Sequence, residues 1–350
     1  MLNLDKFITS NSAVLICSET NRRYLSGFKS SLGYLLVCEL GNFLFVDGRY
    51  IEAAKKNVKN DIKVVLLERL SKQLGDLLNR FKIKTLYTET EITVSFLNSL
   101  KNVIHCDLLP SEELSLYLLK SRSVKERYEI ENIISAQRIA EKAYANVLNM
   151  IKEGISEREI ALELDYQMQK MGSEGISFET IAVSGKNSSL PHGVPTDKKL
   201  EKGDFLTLDF GAVVNGYHSD MTRTVAIGYA TDEMQEIYNL VLSAQLTAIE
   251  KIGVGVDCKS VDAAARDIIT HKGYAGNFNH STGHGVGLDI HEYPTLSQRN
   301  NEALLENQIV TVEPGVYLPD KFGVRIEDMI VVSGNVNENL TKCEKKLIIL

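Results

Sequence analysis

The feature that most restricts how this chain can fold is an internal repeat. Gly154-Ile155-Ser156-Glu157-Arg158-Glu159-Ile160 recurs as Gly255-Val256-Asp257-Cys258-Lys259-Ser260-Val261, and the helical stretch after each copy stops at a glycine, Gly172 and Gly273. The offset is 101 from Gly154 to Gly255 and again from Gly172 to Gly273. Each copy reads as a helix end followed by a helix start, with Ser156 or Asp257 as N-cap and Ile155/Ile160 or Val256/Val261 as hydrophobic staples. Glu159 completes a capping box with Ser156. Each helical stretch leads to a strand carrying an acid, Asp204–Gly211 and Ile309–Gly315, with Thr two residues before the acid and Gly two after. The pattern predicts two α-α-β-β halves related by a pseudo-twofold axis, helices outside, with an acid of each half converging at the centre.

Upstream, residues 1–120 alternate β-rich runs (Leu32–Cys38, Phe43–Val46, Ile62–Leu67, Thr85–Tyr87) with helical stretches (Arg49–Val58, Leu70–Phe81, Thr93–Val103), the pattern of a compact α/β unit. A long amphipathic segment, Glu126 to Ile151, follows a change of pattern near Ser121–Lys125. The domain division is therefore drawn as 1–122 and 123–350.

Charge narrows the partners. Lys and Arg number 39 against 46 Asp and Glu, a net −7 that gives no electrostatic reason to bind nucleic acid or an anionic membrane. The acids are concentrated downstream, where residues 121–350 hold 33 of them against 23 bases. Five scattered cysteines without a C-x-x-C pair fit a reducing compartment rather than a disulfide framework or thiolate zinc site. The N-terminus lacks a basic n-region, its best apolar run (Ala13–Cys17) is short, and no run approaches the ~20 apolar residues of a membrane span. A cytoplasmic protein is expected.

The acids form a pattern. Asn215-Gly216 between apolar runs is a strong hairpin signal, and a two-residue turn there sets Asp209 opposite Thr222. Asp209 and Asp220 then become diagonal neighbours on one face. In Val324–Ile330, alternation puts Arg325, Glu327 and Met329 on one face, and if the halves are related, Glu313 and Glu327 answer to Asp209 and Asp220. His284 lies in the glycine-dense run His280–Gly287. Four carboxylates and an imidazole cannot be buried unpaired, since each isolated ion costs several kcal/mol. Two divalent metals resolve this, and an oxygen-rich, thiolate-free set favours Mn, Co, Fe or Zn; ions ~3.5–4 Å apart can hold a hydroxide between them for hydrolysis.

With these residues in place the chain resembles the Xaa-Pro peptidases, the prolidase and aminopeptidase P branch of the pita-bread metallopeptidases, and is similar to the short microbial prolidases. Asn21–Phe28 and Asp47-Gly48-Arg49-Tyr50 resemble the creatinase-like N-terminal domain, and the later motifs follow in order. The resemblance implies an α+β protein, with a smaller N-terminal α/β domain before a C-terminal pita-bread fold. It implies that Asp209, Asp220, His284, Glu313 and Glu327 bind two divalent ions, Mn or Co favoured and Zn or Fe also compatible, with Glu313 as proton acceptor. His192 and His291 would line the substrate site, and His280 and Arg325 would contact the substrate's carboxylate end or relay protons. The implied substrate is a small peptide with proline second, cleaved by a dipeptidase, and the implied assembly is a homodimer. Aminopeptidase P action on longer peptides, and a metal-free binding module on the same scaffold, are the alternatives. His105, His218 and His271 lack supporting spacing and read as structural. Gly283-x-Gly285-x-Gly287 lacks the lysine and the strand-to-helix setting of a phosphate loop.

Overall fold

A computed structural model describes residues 4–350, which divide into two compact units parting between Arg122 and Ser123. The first unit runs β1 (Ser12–Ile16), α1 (Glu19–Ser26), β2 (Gly33–Cys38), β3 (Gly41–Val46), α2 (Ile51–Asn57), β4 (Ile62–Leu66), α3 (Leu70–Arg80), β5 (Thr85–Thr88), α4 (Val94–Lys101), β6 (Asp107–Pro110), α5 (Glu112–Ser123). Its mixed sheet has the order β4-β3-β2-β1-β5-β6. Val14 and Ile16 of β1 pack with Leu35 and Val37 of β2 on one face, against Leu25, Ala54, Leu114 and Leu118 of helices α1, α2 and α5. Ala13, Leu15 and Leu36 turn to the other face, against Leu74, Leu78 and Leu100 of α3 and α4. With both faces covered, β1 is buried throughout, so it lacks the polar alternation of a half-exposed strand. That is why the segment shows in the sequence only as a short apolar run.

The second unit runs α6 (Arg127–Leu148), α7 (Glu157–Lys170), β7 (Ile181–Ser184), β8 (Phe205–Phe210), β9 (Val213–Val214), β10 (Tyr217–His218) and β11 (Met221–Ala226). It continues with α8 (Asp232–Lys251), α9 (Cys258–His271), β12 (Gly283–Gly285), β13 (Glu292–Leu296), β14 (Ile309–Val312), β15 (Gly315–Leu318), β16 (Phe322–Arg325), β17 (Asp328–Val331) and β18 (Glu338–Asn339). The two halves are plain in the helices: α7 and α9 begin and end 101 residues apart, at Glu157/Cys258 and Lys170/His271. Ser156 Oγ accepts from Glu159 N, and Asp257 accepts from Ser260 N, so both caps form. Gly172 and Gly273 have φ of +99° and +89°, the left-handed backbone that glycine adopts without strain. The sheets correspond as well, β11-β8-β7 in the first half and β17-β14-β12 within the five strands of the second.

Alternation along these strands separates core from site. Leu206, Leu208 and Phe210 of β8 join Met221 and Val225 of β11 in an apolar core with α6 and α7. Val310 and Val312 of β14 do the same with α8 and α9. The opposite faces carry Thr207, Asp209, Thr222, Thr224 and Thr311, buried between the halves. The Thr207 and Thr224 hydroxyls bond at 3.2 Å, and Thr224 Oγ1 donates to the Arg325 carbonyl at 3.0 Å. On the far side of the seam, buried Arg223 donates to Asp328 Oδ1 at 2.8 Å and to the Thr222 and Glu327 carbonyls.

Among the described residues no helix is long and apolar enough to cross a membrane.

Candidate active site

Asp209 sits on β8 opposite Thr222 of β11, as counted from the Asn215-Gly216 turn. The ladder is interrupted beyond Phe210 and resumes in the same register at β9 and β10, which leaves Asp220 in the gap just before β11. The correspondence between halves differs from the expected one. In the β14–β17 ladder Val312 faces Asp328, so one step further Glu313 faces Glu327. Glu313 thus answers to Asp209, but Glu327 answers to Thr222 rather than to Asp220. The halves meet at that related pair: Thr222 Oγ1 donates to Glu327 Oε2 at 2.7 Å, and Glu327 N donates to the Thr222 carbonyl at 3.1 Å.

Donor atoms of Asp220, His284 and Glu327 lie within 4.8 Å of one another. His284 Nδ1 is 2.9 Å from the Gly285 carbonyl, which can only accept, so the ring proton is on Nδ1 and the Nε2 lone pair faces inward. That lone pair stands 3.4 Å from Glu313 Oε1 and 3.6 Å from Asp220 Oδ2. Burial holds the imidazole below its ordinary pKa, so the neutral ring offers these carboxyl groups a lone pair rather than a charge. Asp209 Oδ1 and Glu327 Oε1 are buried with no hydrogen-bond partner. An orphaned buried acceptor costs about 1–3 kcal/mol, more when charged. Burial first, then the neighbouring carboxylates, pushes Asp220 and Glu327 well above the usual carboxylate range, and Glu313 is pushed up to about 7, chiefly by burial. Orphaned oxygens, a correctly oriented imidazole and mutually repelling acids are the donor set that divalent cations complete.

Arg325 organises one wall. Its Nε donates to Thr222 Oγ1 at 3.1 Å, Nη1 to the Pro191 carbonyl at 3.1 Å and Tyr317 OH at 2.7 Å, and Nη2 to Asp209 Oδ2 at 2.7 Å. Four of its five N–H donors are thereby engaged inside the protein, which leaves little of the guanidinium for a substrate carboxylate. His280 is similarly occupied. Nδ1 lies 2.8 Å from the Ser281 carbonyl and must donate to it, so Nε2 accepts from Tyr317 OH at 3.0 Å. Burial, with the Arg325 charge, lowers His280 to about 4. The result is a relay from Arg325 through Tyr317 to His280. Nothing in the sequence singles out Tyr317 beyond its place along β15, four residues after Glu313.

His192 and His291 are exposed, unlike the acids beneath them. The His291 ring meets His284 edge-on, centroids 4.4 Å apart, and His192 directly follows Pro191, whose carbonyl accepts from Arg325 Nη1. All nine residues singled out in the sequence therefore fall in one neighbourhood. His271 ends α9 as expected of a residue serving the helix terminus, and His218 is bonded to Ser177 Oγ.

Comparison with known proteins places the chain in a family. Residues 131–334 match metallopeptidase family M24, and residues 10–124 match the creatinase/prolidase N-terminal domain. An Xaa-Pro dipeptidase of Pyrococcus horikoshii is 38% identical over 98% of this chain and 97% of its own. The solved structure of an Xaa-Pro dipeptidase from Bacillus anthracis superposes with a TM-score of 0.93 at 40% identity, covering 97% of this chain and 95% of that one. That of an X-Pro aminopeptidase from Thermotoga maritima gives 0.90 at 36% identity, covering 99% of both. The matches and the cation-shaped site lead to one conclusion: this chain is an enzyme of metallopeptidase family M24, a family that works with divalent metal ions, and it carries the creatinase/prolidase N-terminal domain ahead of a pita-bread catalytic unit.

Proposed function

We propose that this chain hydrolyses the bond before proline in small Xaa-Pro peptides and acts as a dipeptidase. The observation that carries the reading is the cluster of Asp220, His284 and Glu327 with the orphaned oxygens of Asp209 and Glu327, in a chain matched nearly end to end by a protein named Xaa-Pro dipeptidase. Asp209, Asp220, His284, Glu313 and Glu327 would hold two divalent ions, Mn or Co favoured. When bound, such ions polarise the scissile carbonyl and lower the pKa of water.

The chain's own residues supply the rest. Glu313, half-buried beside Thr311, accepts a proton at its carboxylate. His192 and His291, exposed at the mouth, donate to the oxygen on which charge develops in the transition state. Arg325 holds Asp209 and Thr222 in register and fixes the Pro191 carbonyl beside His192. Through Tyr317 it keeps His280 neutral and oriented. An Xaa-Pro bond has no N–H to donate, so recognition falls to the shape of the site beyond these histidines.

A second reading, an aminopeptidase acting on longer Xaa-Pro peptides, draws on the similarity to the Thermotoga maritima aminopeptidase. Turnover of Xaa-Pro against Xaa-Pro-Yaa peptides separates them: dipeptides are favoured on the first reading, and equal or faster cleavage of tripeptides establishes the second. Domains of 1–122 and 123–350, a homodimer and a cytoplasmic setting complete the proposal. The parting of the chain at Arg122/Ser123 supports the first, family resemblance supports the second, and five free thiols support the third.

A further inference from the structure

Glu157 is fully buried at the start of α7, yet it is not needed to cap that helix, because Ser156 and Glu159 already form the capping box. Its repeat counterpart is Cys258, which has no carboxylate. The Glu157 carboxylate instead reaches sideways. Oε1 accepts from Ser184 N at 2.7 Å, Ser184 Oγ at 3.0 Å and Asn187 Nδ2 at 3.1 Å. Oε2 accepts from Thr196 N at 3.0 Å and Thr196 Oγ1 at 2.7 Å. The Ser184 and Thr196 N–H groups, one at each oxygen, can only donate, so a group that accepts on both oxygens satisfies the site.

Ser184 and Thr196 are the two ends of the segment that carries His192. Backbone bonds reinforce the base: Arg158 N donates to the Thr196 carbonyl at 3.0 Å and Glu157 N to the Lys198 carbonyl at 3.1 Å. The tip has two further ties, Gly323 N to Ser188 Oγ and Arg325 Nη1 to the Pro191 carbonyl. His192 itself is exposed at the tip of this segment, so its position leans on these tethers.

We propose that Glu157 is a positioning residue for the hydrolysis, a clamp that closes the base of residues 185–195 and so holds His192 over the site. This rests on the reading of the site as an Xaa-Pro hydrolase that uses His192. Glu157→Gln keeps the size but turns an N–H₂ toward donors, which opens the clamp. Displacing a catalytic group by about 1 Å can cost on the order of a hundredfold.

The test uses the full-length, metal-loaded enzyme as the parent protein and as E157Q, H192A and the double variant. Hydrogen exchange over 185–195 is read beside kcat, KM and bound metal. E157Q should speed exchange in 185–195 and leave the rest of the unit unchanged. It should lower kcat about tenfold to a hundredfold with KM and bound metal little altered. In the H192A background E157Q should cost less than about twofold more, because the group it positions is already gone. Losses that multiply, bound metal that falls in step with activity, an H192A variant with full kcat, or unchanged exchange in 185–195 each overturn the proposal. Should E157Q not fold, Thr196→Val removes one arm and should show the same pattern at smaller size. A parent enzyme that leaves Xaa-Pro peptides intact sinks the reading of the reaction instead, and the exchange measurement still tests the clamp.

Discussion

The Thr222 hydroxyl donates to Oε2 of Glu327 at 2.7 Å across the seam between the two halves, and the two residues occupy related places in the β8–β11 and β14–β17 ladders. The symmetry that shapes the fold therefore ends in a polar contact that aims a carboxylate.

Thr222→Val removes that contact, and the one from Arg325 Nε, at almost constant volume. Loss of such a supporting bond typically weakens metal binding about 10–100-fold. Titration of stripped protein with Mn or Co should show a drop of that order with the circular dichroism spectrum unchanged. Unaltered affinity would show that Glu327 is held by packing alone.

Asp220→Ala and His284→Ala each delete one corner of the donor cluster. Both should reduce bound metal, measured by elemental analysis after equilibration, and lower kcat/KM by at least about a hundredfold, a loss of roughly 2.7 kcal/mol in transition-state stabilisation. A variant that kept full metal content would remove its residue from the ligand set.

The caps test the repeat. Ser156→Ala and Asp257→Ala each remove a side-chain acceptor from the first turn of equivalent helices. Each should cost about 1 kcal/mol, which corresponds to a fall of about 2–4 °C in the midpoint of a unit this size. Calorimetry would reveal any large inequality between the two.

His280 gives a pH dependence with a definite sign. Its folded pKa is lowered to about 4 by burial and by the Arg325 charge, whereas in the unfolded chain it is about 6.5. Between these values the unfolded state binds the extra proton, so stability is lost as pH falls from about 6.5 toward 4. His280→Gln should flatten this part of the profile in metal-free protein, measured as the difference from the parent in urea midpoints. Parallel profiles would mean that His280 titrates normally.

Much of this was legible in the sequence for a physical reason: caps, tight turns and strand alternation are local. The Asn215-Gly216 turn fixes the facing of Asp209 and Thr222, and the copies at Ser156 and Asp257 mark both helix starts. Contacts between distant segments leave no such mark. Tyr317, the donor to His280, is 37 residues away from it in sequence, and the bonds from Arg325 to Pro191 and Asp209 span 134 and 116 residues. The match of Glu327 to Thr222 rather than Asp220 required the second ladder's register. Strand β1 was hidden by its complete burial.

The most direct test of the central claim is to strip the protein with a chelator, return Mn or Co in steps, and follow bound metal together with Xaa-Pro hydrolysis. The stripped enzyme should be inactive, and activity should rise with bound metal and level off near two ions per chain. Full hydrolysis by metal-free protein would contradict the account.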